Sequence, residues 1–290
     1  LFRFFIADSL RFFDYSDNSF RKTLDFRKSV CYNEYNYSKI TYIAEEKSMS
    51  MFSPNTAGGK GGAFAGPLSP ALPKAISERH VACVFLLDIS GSMNQRDAIG
   101  KLNKGITAFC DHMKTDPRTA DVVDAAIVTF GGDVRVVQNF IPVSEMKVPQ
   151  LAAAGATPFG EALKLGLEMV AKRKEVYSLA GTPYYRPWIF CITDGTPTDD
   201  WESASHSLKQ AENAKKVLGY CVCVENEQEY SKKEVFQIFN HERILTLENL
   251  DFTGLFEFVS NSLAAVSQSN PNSEHTVSVA APRTLTMATQ

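Results

Sequence analysis

What the sequence lacks narrows the field first. No apolar run approaches the roughly 18 residues of a membrane-spanning helix. A dominant charge is missing too: 30 Lys and Arg stand against 33 Asp and Glu, a net charge of -3. That balance gives no reason to expect nucleic acid or an anionic membrane as partner. An export signal is absent in any convincing form, because Asp8 and Arg11 interrupt the apolar stretch at the start. The default expectation is a soluble, cytoplasmic protein. The six cysteines make no zinc framework. Cys221 and Cys223 would share one face of a strand, but no second pair or nearby His completes a ligand set. They read as buried free thiols, which fits a reducing compartment. His80, His112, His206 and His241 are scattered, with no Ser or Cys at a spacing that supports nucleophilic catalysis. No internal repeat is visible. What is present is ordinary for a globular protein: 44% hydrophobic and 22% charged residues over 290 positions, enough for one large domain or two small ones.

The chain divides into four stretches. Residues 1–52 are rich in aromatics, with half of the ten tyrosines (Tyr15, Tyr32, Tyr35, Tyr37 and Tyr42). Phe2, Phe5, Ile6 and Phe13 with Arg3 and Arg11 hint at an amphipathic helix that could touch a membrane surface. A poorly ordered extension is a second reading. Upstream sequence read in frame, with Met49 or Met51 as the true start, is a third, and it is preferred. Residues 53–78 form a Gly/Pro connector. Within it Gly59-Lys60-Gly61-Gly62 lacks the spacing and the preceding strand of a phosphate loop, so a flexible linker is the better reading. Residues 79–266 carry a regular alternation of strands and helices. Residues 267–290 are Ser, Asn, Thr and Ala with little to bury, and a disordered tail is expected.

Within 79–266 the pattern predicts strands at 81–88, 122–130, 134–140, 188–193, 219–224 and 243–247. Helices are predicted at 97–113, after 155–158, after Thr198, at 232–239, and around Leu255–Leu263. Gly131-Gly132-Asp133 is too short for anything but an antiparallel hairpin. Lys172-Arg173-Lys174 would end the long helix and suit its dipole. The expected fold is α/β: a doubly wound, mostly parallel six-stranded sheet with one antiparallel edge strand and helices on both faces.

The stretch Val84-Phe85-Leu86-Leu87-Asp88-Ile89-Ser90-Gly91-Ser92-Met93 stands out. An apolar run ends abruptly in Asp88, and Ser90 and Ser92 follow at alternate positions. In open α/β sheets ligands bind at the carboxyl ends of strands. Taken alone, the loop divides evenly between a helix cap and a cation site. Two further loops tip the balance. Thr157 lies just before a helix, with Pro158 at its start, and Asp194 ends the 188–193 strand. All five side chains are oxygen donors. Such a set selects Mg2+, Mn2+ or Ca2+ over zinc. Three hydroxyls and two carboxylates, some acting through water, suit the six-oxygen shell of Mg2+, so Mg2+ or Mn2+ is favoured over Ca2+.

These residues resemble the metal-ion-dependent adhesion site of von Willebrand factor A (vWA) domains, whose pattern is D-x-S-x-S, a distant T and a distant D. Here the pattern is Asp88-Ile89-Ser90-Gly91-Ser92, Thr157 and Asp194. The wording around 123–132, 157–163 and 185–201 is closer still to the bacterial TerY-like branch, associated with tellurium resistance. The resemblance covers about 79–266. One departure is Ala156, where glycine is expected. The resemblance implies a Rossmann-like vWA fold. It implies Ser90, Ser92 and Thr157 as direct metal ligands, with Asp88 and Asp194 acting through water. It also implies an ion left electrophilic enough to take a Glu or Asp carboxylate from another protein. Cytoplasmic work in a bacterial stress or defence system follows from the same resemblance, with a kinase or phosphatase as candidate partner.

Two other classes compete. A Mg2+-dependent, phosphatase-like hydrolase could use Asp88 as nucleophile, with Asp194 holding the ion. That chemistry wants a second carboxylate near Asp88, where residue 90 is Ser, and a cation for the phosphate. Lys101 and Lys104, on the following helix, read better as a solvated face. A scaffold with an unused metal site is the third class. The expectation is therefore a binding module and not an enzyme.

Overall fold

The computed structural model describes residues 71–225, 232–269 and 279–288. The aromatic-rich stretch 1–52 and the connector as far as residue 70 lie outside the described residues. The strands are β1 (Val81–Asp88), β2 (Val123–Gly131), β3 (Asp133–Pro142), β4 (Trp188–Thr193), β5 (Leu218–Val224), β6 (Ile244–Leu247) and β7 (Leu285–Met287). The helices are α1 (Ala98–Lys114), α2 (Pro117–Val122), α3 (Phe159–Ala180), α4 (Glu202–Asn213), α5 (Lys233–Ile238) and α6 (Phe252–Ser267).

The strands form one sheet in the order β3-β2-β1-β4-β5-β6-β7. β1 pairs in parallel with both β2 and β4, and the parallel run continues through β5 to β6. The chain winds outward from β1 in both directions, so the gap between β1 and β4 is the switch point where such sheets place their ligands. β1 is buried along its whole length. Its odd-numbered residues Val81, Cys83, Phe85 and Leu87 enter one core layer, and Ala82, Val84 and Leu86 enter the other. A strand covered on both faces needs apolar residues at every position, which is why the run reads as continuous rather than alternating.

The two layers differ in their aromatic packing. On one face Phe85 contacts Phe109, Phe190 and Phe256 at ring distances of 5.2, 6.0 and 5.7 Å. There α1 lies close against α6: a Cβ on Gly105 would come within 2.7 Å of the Phe256 ring and 2.9 Å of Phe252 Cβ. On the other face Phe159, at the start of α3, contacts Phe130 and Phe239 edge-on. Burial of side chains this size stabilises by about 1.5–3 kcal/mol each.

The α/β architecture, the parallel centre and the hairpin follow the sequence pattern, and four details depart from it. Among the described residues the sheet has seven strands, with antiparallel edges on both sides. The seventh, β7, pairs with β6 and comes from the stretch expected to be a disordered tail. It is three residues long with one buried side chain, Leu285, too little for a periodicity signal. α1 is followed by a short helix the pattern did not predict, α2, which Asp116-Pro117 opens: the Asp116 side chain accepts from the Arg118 and Thr119 amides. α3 does not end at Lys172-Arg173-Lys174. It runs on to Ala180, where Gly181 at φ 69° terminates it. Arg173 turns inward and is fully buried. Finally, α4 begins at Glu202, not at Thr198.

Candidate metal centre

Three loops meet at the carboxyl ends of β1, β2 and β4: the loop after β1, the return from β3 that carries Thr157, and the loop after β4. Backbone hydrogen bonds join the first two. Ile89 N–H donates to Phe130 C=O at 2.9 Å, Ala154 N–H to Ile89 C=O at 2.7 Å, and Gly91 N–H to Gly155 C=O at 3.0 Å. Gly132 N–H donates to Ala156 C=O at 2.9 Å, so the departure at Ala156 leaves the loop's backbone pairing in place. Gly155, at φ +83°, passes so close to Gly132 that a Cβ would lie 2.5 Å from Gly132 Cα. Only glycine tolerates that approach and that dihedral.

All five candidate residues come together here. Asp88 Oδ1 accepts from the Ser90 amide at 2.8 Å, and Oδ2 accepts from the Thr193 hydroxyl at 2.6 Å. The Ser90 and Ser92 hydroxyls lie 2.9 Å apart, and Ser92 donates to Asp194 Oδ1 at 2.6 Å. A Cβ on Gly195 would lie 3.3 Å from the Thr157 hydroxyl and 3.8 Å from Asp88 Oδ2, so those two oxygens face the same point of the third loop. Asp88, Ser90, Thr157 and Asp194 are buried, and Ser92 is half-buried at the mouth.

The electrostatics are unbalanced. Burial pushes the Asp88 carboxyl up to about 6; hydrogen bonds from Ser90 and Thr193 oppose this, and the charge of Asp194 adds to it. The hydrogen-bond partners of Asp88 are amide and hydroxyl groups, none of them cationic. Two carboxylates are therefore held together in a poorly solvated site with three hydroxyls around them. Such a donor set suits a hard divalent cation. Among the described residues, no three of His, Cys, Asp and Glu converge on a metal-sized site, so hydroxyls have to complete any shell.

Two residues of the site, Thr193 and Thr198, escaped the sequence reading, and a third, Asp199, has a role that the sequence did not show. Thr193 looked like the last residue of a strand, yet its hydroxyl holds Asp88. Thr198, after which a helix was expected, bonds instead to Thr157: its Oγ1 accepts from Thr157 N–H at 3.1 Å. Asp199 precedes α4 but caps α3, accepting from the Gly160 and Glu161 amides at 2.9 and 2.8 Å. Of the histidines, His80 is fully buried in an ion-pair network just before β1, at the end of the strand away from the site, and His112, His206 and His241 are exposed. Five cysteines, Cys83, Cys110, Cys191, Cys221 and Cys223, are buried free thiols, and Cys31 lies outside the described residues.

A switch-point site of this kind on a doubly wound, mostly parallel sheet is the architecture of vWA domains, and the chain has that fold. Residues 83–196 match the family model described as von Willebrand factor type A domain. Among solved structures, the pilus adhesin SpaC from Lactobacillus rhamnosus GG is similar with a TM-score of 0.53 at 12% identity, over 67% of this chain and 31% of that one. The vWF domain of the type V pili tip protein Mfa5 from Porphyromonas gingivalis is similar with a TM-score of 0.50 at 10% identity, over 67% of this chain and 98% of that one. This chain thus spans about a third of SpaC but nearly all of the Mfa5 domain. Among curated proteins nothing matches. Among the described residues no helix is long and apolar enough to cross a membrane.

Proposed function

We propose that this vWA domain is a protein-interaction module that works through a divalent cation, Mg2+ or Mn2+. Ser90, Ser92 and Thr157 supply direct oxygens, and Asp88 and Asp194 balance the charge and orient bound water. A partner protein completes the shell with a Glu or Asp carboxylate. The observation that carries the reading is the pairing of two buried carboxylates with three hydroxyls, where Asp88 is bonded by neutral groups alone. A bound cation supplies the positive charge that the side chains around Asp88 do not, and with no anionic side chain bonded directly to it the ion attracts an acid from outside. The likeness of 123–132, 157–163 and 185–201 to the TerY-like branch supports a cytoplasmic role in a bacterial stress or tellurium-resistance system, beside a kinase or phosphatase.

The hydrolase reading has less support. Asp88 has no exposed surface, and both of its oxygens already accept hydrogen bonds, so it is poorly placed to attack a substrate. The test is a thermal titration. Mg2+ or Mn2+ raises the melting temperature of the unmodified protein, and Asp88→Ala or Thr157→Ala removes the shift. No shift with any divalent ion sinks the metal reading. Metal-dependent turnover of phosphate esters that disappears in Asp88→Asn replaces it with the hydrolase. A metal-dependent pull-down, with Ser90→Ala as control, then identifies the carboxylate donor.

A further inference from the structure

The loop after β4 does more than deliver Asp194. Its later residues, Thr198 and Asp199, reach back about forty positions along the chain and hold Thr157 and the first turn of α3. Thr198 Oγ1 accepts from Thr157 N–H at 3.1 Å, and Thr198 N–H donates to Thr157 C=O at 2.9 Å. Both backbone polar groups of Thr157 are therefore fixed by one residue. Asp199 then takes the next two free amides, Gly160 at 2.9 Å and Glu161 at 2.8 Å, one with each carboxylate oxygen. α3 needs that help, because its own N-cap residue is Pro158, which makes no side-chain capping bond. The two segments lie in direct contact: a Cβ on Gly160 would fall 2.4 Å from Asp200 C=O and 2.7 Å from Trp201 Cα.

We infer that Thr198 and Asp199 are positioning residues for the metal centre, a clamp that fixes where the Thr157 hydroxyl stands relative to Asp88 and Asp194. The inference rests on the metal reading above and adds to it. Asp194 and Thr157 sit on different loops, and their spacing decides whether both can serve one ion. The clamp ties Thr157 to the loop that carries Asp194, so the two move together. Groups that orient metal ligands without touching the ion typically change affinity by about 10- to 100-fold when removed.

The experiment compares the full chain with Thr198→Val, Thr198→Ser and Asp199→Ala. Mn2+ affinity is measured calorimetrically, melting temperature is measured in EDTA, and amide hydrogen exchange at Thr157 is followed without metal. Thr198→Val is expected to weaken Mn2+ by about 10-fold or more and to speed exchange at the Thr157 amide, with little change in metal-free melting because Thr198 is exposed. Thr198→Ser keeps the hydroxyl and restores both. Asp199→Ala weakens Mn2+ through the freed α3 amides. Unchanged Mn2+ affinity in both Thr198→Val and Asp199→Ala, with normal binding by the unmodified protein, overturns the clamp alone. Unchanged exchange at Thr157 in Thr198→Val overturns it without reference to metal. Failure of the unmodified protein to bind Mn2+ overturns the metal reading, and the clamp's role with it.

Discussion

Asp88 closes β1 at the carboxyl pole of the sheet, and Asp124 stands one residue into β2 at the amino pole. Both are fully buried, yet their surroundings are opposite. Three groups converge on Asp124 Oδ2: His80 Nδ1 at 2.8 Å, Arg173 Nη2 at 2.9 Å and the Tyr177 hydroxyl. Burial works against the Asp124 charge, but His80 and Arg173 more than offset it and hold the carboxyl below its usual range. Asp88, with no cation bonded to it, is pushed the other way. The network at the amino pole is also tied to the chain before β1, because His80 Nε2 and Arg173 bond to the carbonyls of Lys74 and Ala71. One pole carries its own positive charge and is built for stability. The other leaves a carboxylate without it, which is what the proposed cation site requires.

The largest expected effect tests the stability half of that contrast. Asp124→Ala leaves Arg173 buried with no counter-charge, and loss of one partner from a buried pair costs about 3–5 kcal/mol. Urea unfolding in EDTA measures it. Asp88→Asn under the same conditions removes a charge that the metal-free fold does not favour, and it is expected to leave stability unchanged or raised. If the two substitutions destabilise equally, the poles do not differ in the way described.

The second effect is the pH dependence of that same pair. Below its ordinary value near 3.8, Asp88 is protonated in both the folded and unfolded chain and has no effect. Between about pH 4 and 6 the unfolded chain ionises while the folded one does not, so metal-free stability falls by about 3 kcal/mol and levels off above about pH 6. Asp124 has the opposite sign: its lowered value gives stability that is present above about pH 4 and lost as pH falls through the folded value. A urea series across pH 3–8 in EDTA, with Asp88→Asn alongside, separates them. An Asp88→Asn profile that parallels the unmodified one between about pH 4 and 6 removes the claim for Asp88.

The contrast also shows what a sequence can reveal. β1 announced itself because a strand buried on both faces must be apolar throughout, and Asp88, Ser90, Ser92, Thr157 and Asp194 stood out as polar groups at element ends. Arg173 did not, because Lys172-Arg173-Lys174 looks like a solvated helix end. Only the fold shows that α3 continues past it and turns its middle residue toward Asp124. His80 could be read as packed but not paired, since its partners lie 44 and 6 positions away on other segments. Thr193, Thr198 and Asp199 were hidden for a similar reason. Each has a local role that accounts for its type, and its working partner is distant in sequence.

A third effect belongs to the carboxyl pole alone. At Mn2+ concentrations about 100 times the dissociation constant, binding adds about 2.7 kcal/mol of stability. Protons compete for Asp88, so the gain is expected to shrink as pH falls below about 6. Thermal melts with and without Mn2+ at pH 5 and pH 7.5 measure the difference. A gain equally large at both values counts against Asp88 as part of the metal's surroundings.

The smallest effect asks whether the two poles are independent. Tyr177→Phe removes one hydroxyl from Asp124 and leaves His80 and Arg173 in place. The ring itself is retained, with its stack on Tyr184 at 5.2 Å and the Arg173 guanidinium 4.8 Å from its centre. A hydrogen bond to a charged group contributes about 1.5 kcal/mol or somewhat more, so urea unfolding is expected to register a loss of about that size, well below that of Asp124→Ala. Mn2+ affinity should stay within about twofold, because Tyr177 stands at the far end of α3 from the three loops of the proposed metal centre and distant sites add independently. A larger change in affinity shows that α3, which carries Tyr177 at one end and follows Thr157 at the other, couples the poles, and the clamp at its first turn becomes the place to look for the connection.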